Sequence, residues 1–266
     1  MYGDYMKIES YAELDREIKA FDMGGIKLMV ILGRPGLGKS YIVNRIVKEK
    51  LTFKGHTTPF RFVQKLYENP DLPVVIDDVL GFLKNRANIG VMLQLCELNE
   101  ENEIFHDTTR SYEGGIFPSP FKSYHEVVVI LNSLGQVKDP ALKAVLNRGI
   151  ILEFAPTRDE VLNQLRSFGE RQVVDYMAQF KDVALRFDFR LHFIAKKRKE
   201  YGLDWKKFLV NEMGMDEKLV KFKELMKEYK TDKERITHYP WSERDYYRVK
   251  RRATAKLTGF SENKEG

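Results

Sequence analysis

Ile26-Lys27-Leu28-Met29-Val30-Ile31-Leu32 runs directly into Gly33-Arg34-Pro35-Gly36-Leu37-Gly38-Lys39-Ser40, and this junction decides the fold. The first half is an apolar run of the kind that fills a strand buried on both faces. The second half fits G-x-x-x-x-G-K-[ST] in full, and a helix-like stretch follows to about Lys50. Strand, glycine-rich turn and helix are the context this motif requires. Small residues let backbone N–H groups curl around phosphate oxygens, and the helix start behind them adds its positive dipole end. Lys39 would reach the β- and γ-phosphates and the Ser40 hydroxyl would ligate Mg²⁺. Gly33, Arg34, Pro35, Gly36, Leu37, Gly38, Lys39, Ser40 and Tyr41 are therefore the candidate nucleotide contacts, with ATP and Mg²⁺ as the expected cofactors.

Working outward, apolar strands alternate with helical segments. Leu51 to Lys54, Pro73 to Ile76, Val127 to Leu131 and Ile150 to Phe154 read as further strands. A helix over about Pro59 to Tyr67, a helical stretch from Val79 to about Glu100 and another over Ala141 to Leu146 lie between them. The pattern predicts an α/β fold, a three-layer arrangement with a mainly parallel sheet covered on both faces. The third strand ends in Asp77-Asp78, at the carboxyl edge where open α/β sheets place their ligands. Asp77 is expected to hold Mg²⁺ and Asp78 to orient and activate the attacking water. No N-K-x-D stretch occurs, which disfavours a GTPase of the usual kind.

The first element reads as a helix, with Ser10 and Glu13 in capping-box spacing and Tyr11, Leu14, Ile18 and Phe21 on one face. Thr157 and Glu160 repeat that spacing before a helix with Val161, Leu162, Leu165 and Phe168 inward and Gly169 as its stop. Ile104 to Tyr124 is irregular and reads as a hairpin or loop insertion. Beyond Gly169 no strand pattern appears. Helices are expected over about Glu170 to Gln179, Phe189 to Lys199, Trp205 to Met213, Glu217 to Tyr229 and Glu243 to Leu257.

Charge separates the two parts of the chain. Of 45 basic and 39 acidic residues, 19 and 20 fall in residues 1 to 155, which leaves 26 and 19 in residues 156 to 266. A basic partner surface, if the protein has one, belongs to the C-terminal part. One cysteine, Cys96, allows no internal disulfide, and the five histidines show no zinc-ligand spacing. The first residues lack the apolar stretch of a secretory signal, and the apolar runs are strand-sized. These features predict a cytoplasmic protein without a membrane partner.

The chain resembles the AAA+ ATPases over roughly residues 26 to 190, on four motifs in order: Gly33 to Ser40, Asp77-Asp78, Asn132 closing the strand Val127 to Leu131, and Arg148 closing the following helix. The resemblance implies that Asn132 acts as the sensor touching the γ-phosphate or the lytic water. It implies that Arg148 is a finger reaching a neighbouring subunit's site, hence an oligomer, most often a hexameric ring. It also implies a helical lid donating a second sensor arginine, for which Arg190, with Arg186 behind it, is the candidate. The implied division is residues 1–168 as nucleotide-binding core, 169–215 as lid and 216–266 as a basic helical C-terminal region. Asp-Asp in place of the family's usual Asp-Glu is similar to some superfamily III viral helicases, which suggests a phage or mobile-element type. Those proteins insert a DNA-contacting hairpin where this chain has Ile104 to Tyr124, so His106, Arg110, Lys122 and His125 become candidate contacts.

On the last helix Tyr246, Val249, Ala253 and Leu257 share one face, while Arg244, Tyr247, Arg248 and Arg251 share another. That pattern suits a helix lying against nucleic acid, and the short helices before Ser242 are loosely similar to a helix-turn-helix unit. The cluster Lys196 to Lys199 carries the same double reading of partner surface or solvated face. The function expected is an oligomeric ATPase coupling Mg-ATP hydrolysis to remodelling or translocation on DNA, as a helicase, helicase loader or replication or mobile-element ATPase with a protein partner of that process. Two alternatives stand beside it: a protein-remodelling chaperone, for which Thr57-Thr58-Pro59-Phe60 would supply a pore-loop aromatic, and a nucleotide-dependent scaffold with slow hydrolysis.

Overall fold

The computed structural model describes residues 5–55, 57–77, 81–82, 85–99, 101–106, 111–112, 115–116, 118–134 and 139–255. The chain divides into two compact units, residues 1–161 and 162–266. In the first unit the elements run β1 (Tyr5–Ile8), α1 (Tyr11–Asp22), β2 (Leu28–Leu32), α2 (Lys39–Ile46), β3 (Leu51–Lys54), α3 (Pro59–Glu68), β4 (Val74–Asp77), α4 (Arg86–Leu95), β5 (Asn102–Ile104), β6 (Ser111–Tyr112), β7 (Gly115–Ile116), β8 (Phe121–Ser123), β9 (Val127–Leu131), α5 (Pro140–Leu146) and β10 (Ile150–Phe154). α6 (Arg158–Phe168) follows and runs on into the second unit.

Six strands form one parallel sheet in the order β1-β10-β2-β9-β4-β3. β2 and β9 lie in its middle, and all five residues of each are buried, which is why both read as unbroken apolar runs. Leu28, Val30 and Leu32 join Val127, Val129 and Leu131 in a core with Phe62, Leu66, Met92 and Leu146 from α3, α4 and α5. Met29 and Ile31 alternate to the opposite face and are also fully buried. The expected face of α1 is the buried one, Tyr11, Leu14, Ile18 and Phe21, behind the Ser10–Glu13 capping box. A buried aliphatic or aromatic side chain contributes about 1.5–3 kcal/mol, so this face alone anchors the helix.

Two sequence expectations change here. The first described element is a strand, β1, at the sheet edge; among the described residues its four pair with β10 alone and are too few to show a period. The helix expected over residues 79 to 100 is described as α4 from Arg86, capped by the Asn85 side chain, and it gives way to turns after Leu95. The irregular segment after it, read as a hairpin or loop insertion, does hold antiparallel pairings, β5 with β8 and β6 with β7.

The second unit continues through α7 (Arg171–Gln179), α8 (Phe189–Glu200), α9 (Trp205–Glu212), α10 (Glu217–Glu228), α11 (Asp232–Thr237) and α12 (Glu243–Ala255), with no strand among the described residues. Phe168 does not turn inward as its position on the expected face implied. It stays 41% exposed, with its ring stacked on Phe193 at 6.0 Å and edge-on to Phe189 at 5.5 Å. α11 is too short for a period to reveal it, although Thr231 and Glu234 close a capping box at its start. α10, α11 and α12 meet on an aromatic cluster of Phe222, Leu225, Tyr239, Tyr246 and Val249. Among the described residues no helix is long and apolar enough to cross a membrane.

Asp232 ties α11 to α12. Its carboxylate accepts from the Lys250 ammonium, from Tyr246 Oη at 2.7 Å and from Arg235 at 3.1 Å. Lys250 first and then the Tyr246 hydroxyl hold its pKa at about 2, below the ordinary 3.8. A carboxyl depressed in the folded state stabilises above its ordinary pKa, and that contribution disappears as pH falls through the folded value. Acid titration followed by Trp241 fluorescence is therefore expected to loosen the α11–α12 junction between about pH 4 and pH 2, a step that Asp232→Asn flattens.

Candidate nucleotide-binding site

β2 delivers the chain to Gly33, whose N–H donates to Leu131 O of neighbouring β9 at 3.2 Å. A Cβ at Gly33 would stand 2.4 Å from Phe154 O, so no larger residue fits this exit. Gly36 and Gly38 adopt φ of 84° and 83°, a left-handed backbone that glycine takes without steric cost. Gly38 is the N-cap of α2 and offers no side-chain cap to the first helical N–H groups, the geometry of an anion site. The loop is braced from behind: Leu37 is buried and its carbonyl accepts from Tyr11 Oη at 3.1 Å. Burial pushes the Tyr11 phenol up, so it remains a donor.

Lys39 is only 5% exposed. Its ammonium donates to Gly33 O at 2.5 Å, Arg34 O at 2.9 Å and Asn132 Oδ1 at 3.5 Å. A buried cation must be compensated, and the loop's own carbonyl dipoles do so while fixing the charge at the loop's centre. Ser40 Oγ donates to Asp77 Oδ1 at 2.7 Å, although β9 lies between β4 and the strand β2 that leads into the loop and α2. Hydroxyl and carboxylate together are a hard-oxygen pair, suited to Mg²⁺ held by one or two protein groups and by phosphate. Among the described residues no group of three or more His, Cys, Asp or Glu gathers as a metal cluster. The uncapped helix start, the two left-handed glycines and this oxygen pair all fit a Mg-nucleotide.

Sequence reasoning missed Lys54. Its ammonium lies 3.3 Å from Asp77 Oδ2, because Lys54 and Asp77 are register partners at the ends of β3 and β4. The signal was present only in the matched ends of two strands. Arg34, Pro35 and Tyr41 are exposed around the loop, and Asp78 lies outside the described residues.

Arg148 follows α5, and its guanidinium donates to Leu93 O of α4 and sits 3.9 Å from Glu97. Arg190 is exposed in the first turn of α8, and Arg186 is engaged by Asp188 at 2.6 Å and Glu212 at 3.2 Å. Of the hairpin candidates, Arg110 lies outside the described residues, His106 donates its backbone N–H to Ser119, and Lys122 pairs with Glu101 at 2.8 Å. His125 is no DNA contact: it is fully buried, with ring nitrogens 2.5 Å from Leu72 O and 3.3 Å from Leu66 O, and burial lowers its pKa. Phe60, the expected pore-loop aromatic, packs against the sheet core instead, because Thr58 caps α3 and Pro59 starts it.

No family model matches the chain. Among solved structures it is similar to NtrX from Brucella abortus in complex with ATP, at 12% identity and a TM-score of 0.49 over 92% of this chain and 67% of that one. It is also similar to a DNA replication initiation factor, at 13% identity and 0.44 over 92% and 88%. Cdc6p from Pyrobaculum aerophilum aligns at 13% identity and 0.43 over 81% and 66%. Likenesses this distant carry no argument about activity, which rests on the site's own geometry.

Proposed function

We propose that this chain binds Mg-ATP at the Gly33–Tyr41 loop and hydrolyses it as an oligomeric AAA+ ATPase that works on DNA. One observation carries the nucleotide reading: a buried ammonium, Lys39, centred on a glycine loop, next to a hydroxyl already bonded to the carboxylate at the end of β4. Mg²⁺, when bound, would neutralise phosphate charge. Ser40 and Asp77 would hold it, Lys39 would draw charge from the β- and γ-oxygens, and the loop N–H groups would fix the phosphates. Asn132, already within 3.5 Å of Lys39, places an amide at the same edge. Asp78 is assigned as the base, residues 169–215 as the helical lid and 216–266 as the DNA-facing region.

The DNA half is supported by the basic surplus of the C-terminal part, 26 basic against 19 acidic residues. The packing of Phe60 against the sheet core, half-buried at the start of α3, speaks against its use as the aromatic of a protein-threading loop. Steady-state ATP hydrolysis, measured with and without single-stranded and duplex DNA at low and moderate salt, tests the whole reading. DNA is expected to stimulate turnover, and the stimulation to fall steeply as salt rises. Turnover indifferent to DNA, or stimulated by an unfolded protein instead, overturns the DNA assignment.

A further inference from the structure

α12 has two faces of opposite character. Tyr246 and Val249 are buried and Ala253 is half-buried against α10 and Tyr239. On the other side Arg244, Tyr247, Arg248 and Arg251 are all exposed. At 100° per residue the three arginines fall within an arc of about 60° and span about 10 Å of helix. From Arg244 to Arg252 there are five basic residues and a single acidic one, Asp245. The remaining two cations clamp the helix in place: Lys250 bonds Asp232, and Arg252 bonds Asp216 at 3.1 Å. Asp245 is turned toward Lys218 at 3.0 Å and also takes Arg248 at 2.6 Å. The Arg248 pairing is exposed and weak, so a phosphate can replace it.

We propose that the Arg244–Tyr247–Arg248–Arg251 face of α12 is a docking surface for duplex DNA, entering the major groove. The inference rests on the DNA half of the function proposed above and extends it to a named surface. Three cations along about 10 Å need a partner with closely spaced negative charges, which the phosphates of a duplex supply every few ångströms. An α-helix about 10–12 Å across fits a groove about 12 Å wide. A membrane surface would require large aliphatic side chains beside the cations, and among the described residues the outer face of α12 carries none. Single strands are held by aromatics in series, whereas Tyr247 is the one aromatic among the described residues of this face.

The test uses the full chain, a labelled duplex of about 20 base pairs and fluorescence anisotropy over a range of salt. Arg244→Ala/Arg251→Ala is expected to weaken binding roughly 100-fold, about tenfold per arginine, and to make the salt slope shallower by about 1.8. Lys48→Ala, an exposed cation of the first unit, is expected to leave both unchanged. Equal affinity and slope for the double variant overturn the proposal, as does equal affinity of the intact protein for a single strand of the same length. Duplex binding that the double variant loses, in a protein whose turnover ignores DNA, upholds this surface and sinks the ATPase coupling. DNA-stimulated turnover that is undiminished in the double variant does the reverse.

Discussion

A Lys39→Ala variant is expected to stay folded and to lose ATP turnover by roughly 10²–10³-fold, the scale on which a single preorganised electrostatic group acts. The ammonium is 5% exposed, so its field is little screened by water, and its hydrogen bonds to Gly33 O and Arg34 O hold it at the loop's centre before any nucleotide arrives. Nothing needs to reorganise when phosphate charge develops. Removing it also leaves two loop carbonyls without this donor, which costs about 1–3 kcal/mol. For a chain of this size that appears as a melting temperature lower by a few degrees, about 2–4 °C per kcal/mol. A coupled ATPase assay, a nucleotide titration and a thermal scan on the same preparation separate the two effects. Turnover within tenfold of the parent would mean that Lys39 is a structural strut and that the nucleotide is bound elsewhere.

What the sequence could disclose depended on whether the cause was local. β2 and β9 were legible because burial on both faces forces an apolar residue at every position. The phosphate loop was legible because its glycines, Lys39 and Ser40 answer to backbone geometry within eight residues. β1 was not, since an edge strand of four residues needs only one partner and shows no period. His125 misled because the carbonyls it packs against, Leu66 O and Leu72 O, lie 59 and 53 residues away, and only the fold turns a titratable side chain into a buried strut. Phe168 misled in the opposite sense: helical spacing assigns a face, but where a helix ends its last aromatic can emerge onto neighbouring rings. Ser40 and Asp77 were each read from their own motif, whereas their hydrogen bond across 37 residues depends on β9 lying between β2 and β4. Lys54 joins them only through the register of β3 on β4, a relation between strands that neither strand states alone.

Arg148→Ala carries the largest expected effect, a loss of turnover of at least about 10³-fold with nucleotide affinity unchanged, because an arginine supplied in trans contributes about 10³–10⁵ in rate. Within its own chain Arg148 donates to Leu93 O and approaches Glu97 at 3.9 Å, with its side chain 33% exposed. A residue that did only this would act as a tie between α5 and α4. Its loss would then cost about 1.5–3 kcal/mol, lower the melting temperature by several degrees, and leave turnover intact at temperatures where the variant is folded. Mixing distinguishes the roles more sharply than either variant alone. A Lys39→Ala subunit has no working site but still presents Arg148, and an Arg148→Ala subunit has an intact loop but no finger. If the finger reaches a neighbour, two inactive preparations combined should regain a measurable part of the parent's turnover, with a dependence on their ratio that follows the number of mixed interfaces. No recovery, in mixtures shown by cross-linking to assemble, would return Arg148 to the role of an internal tie.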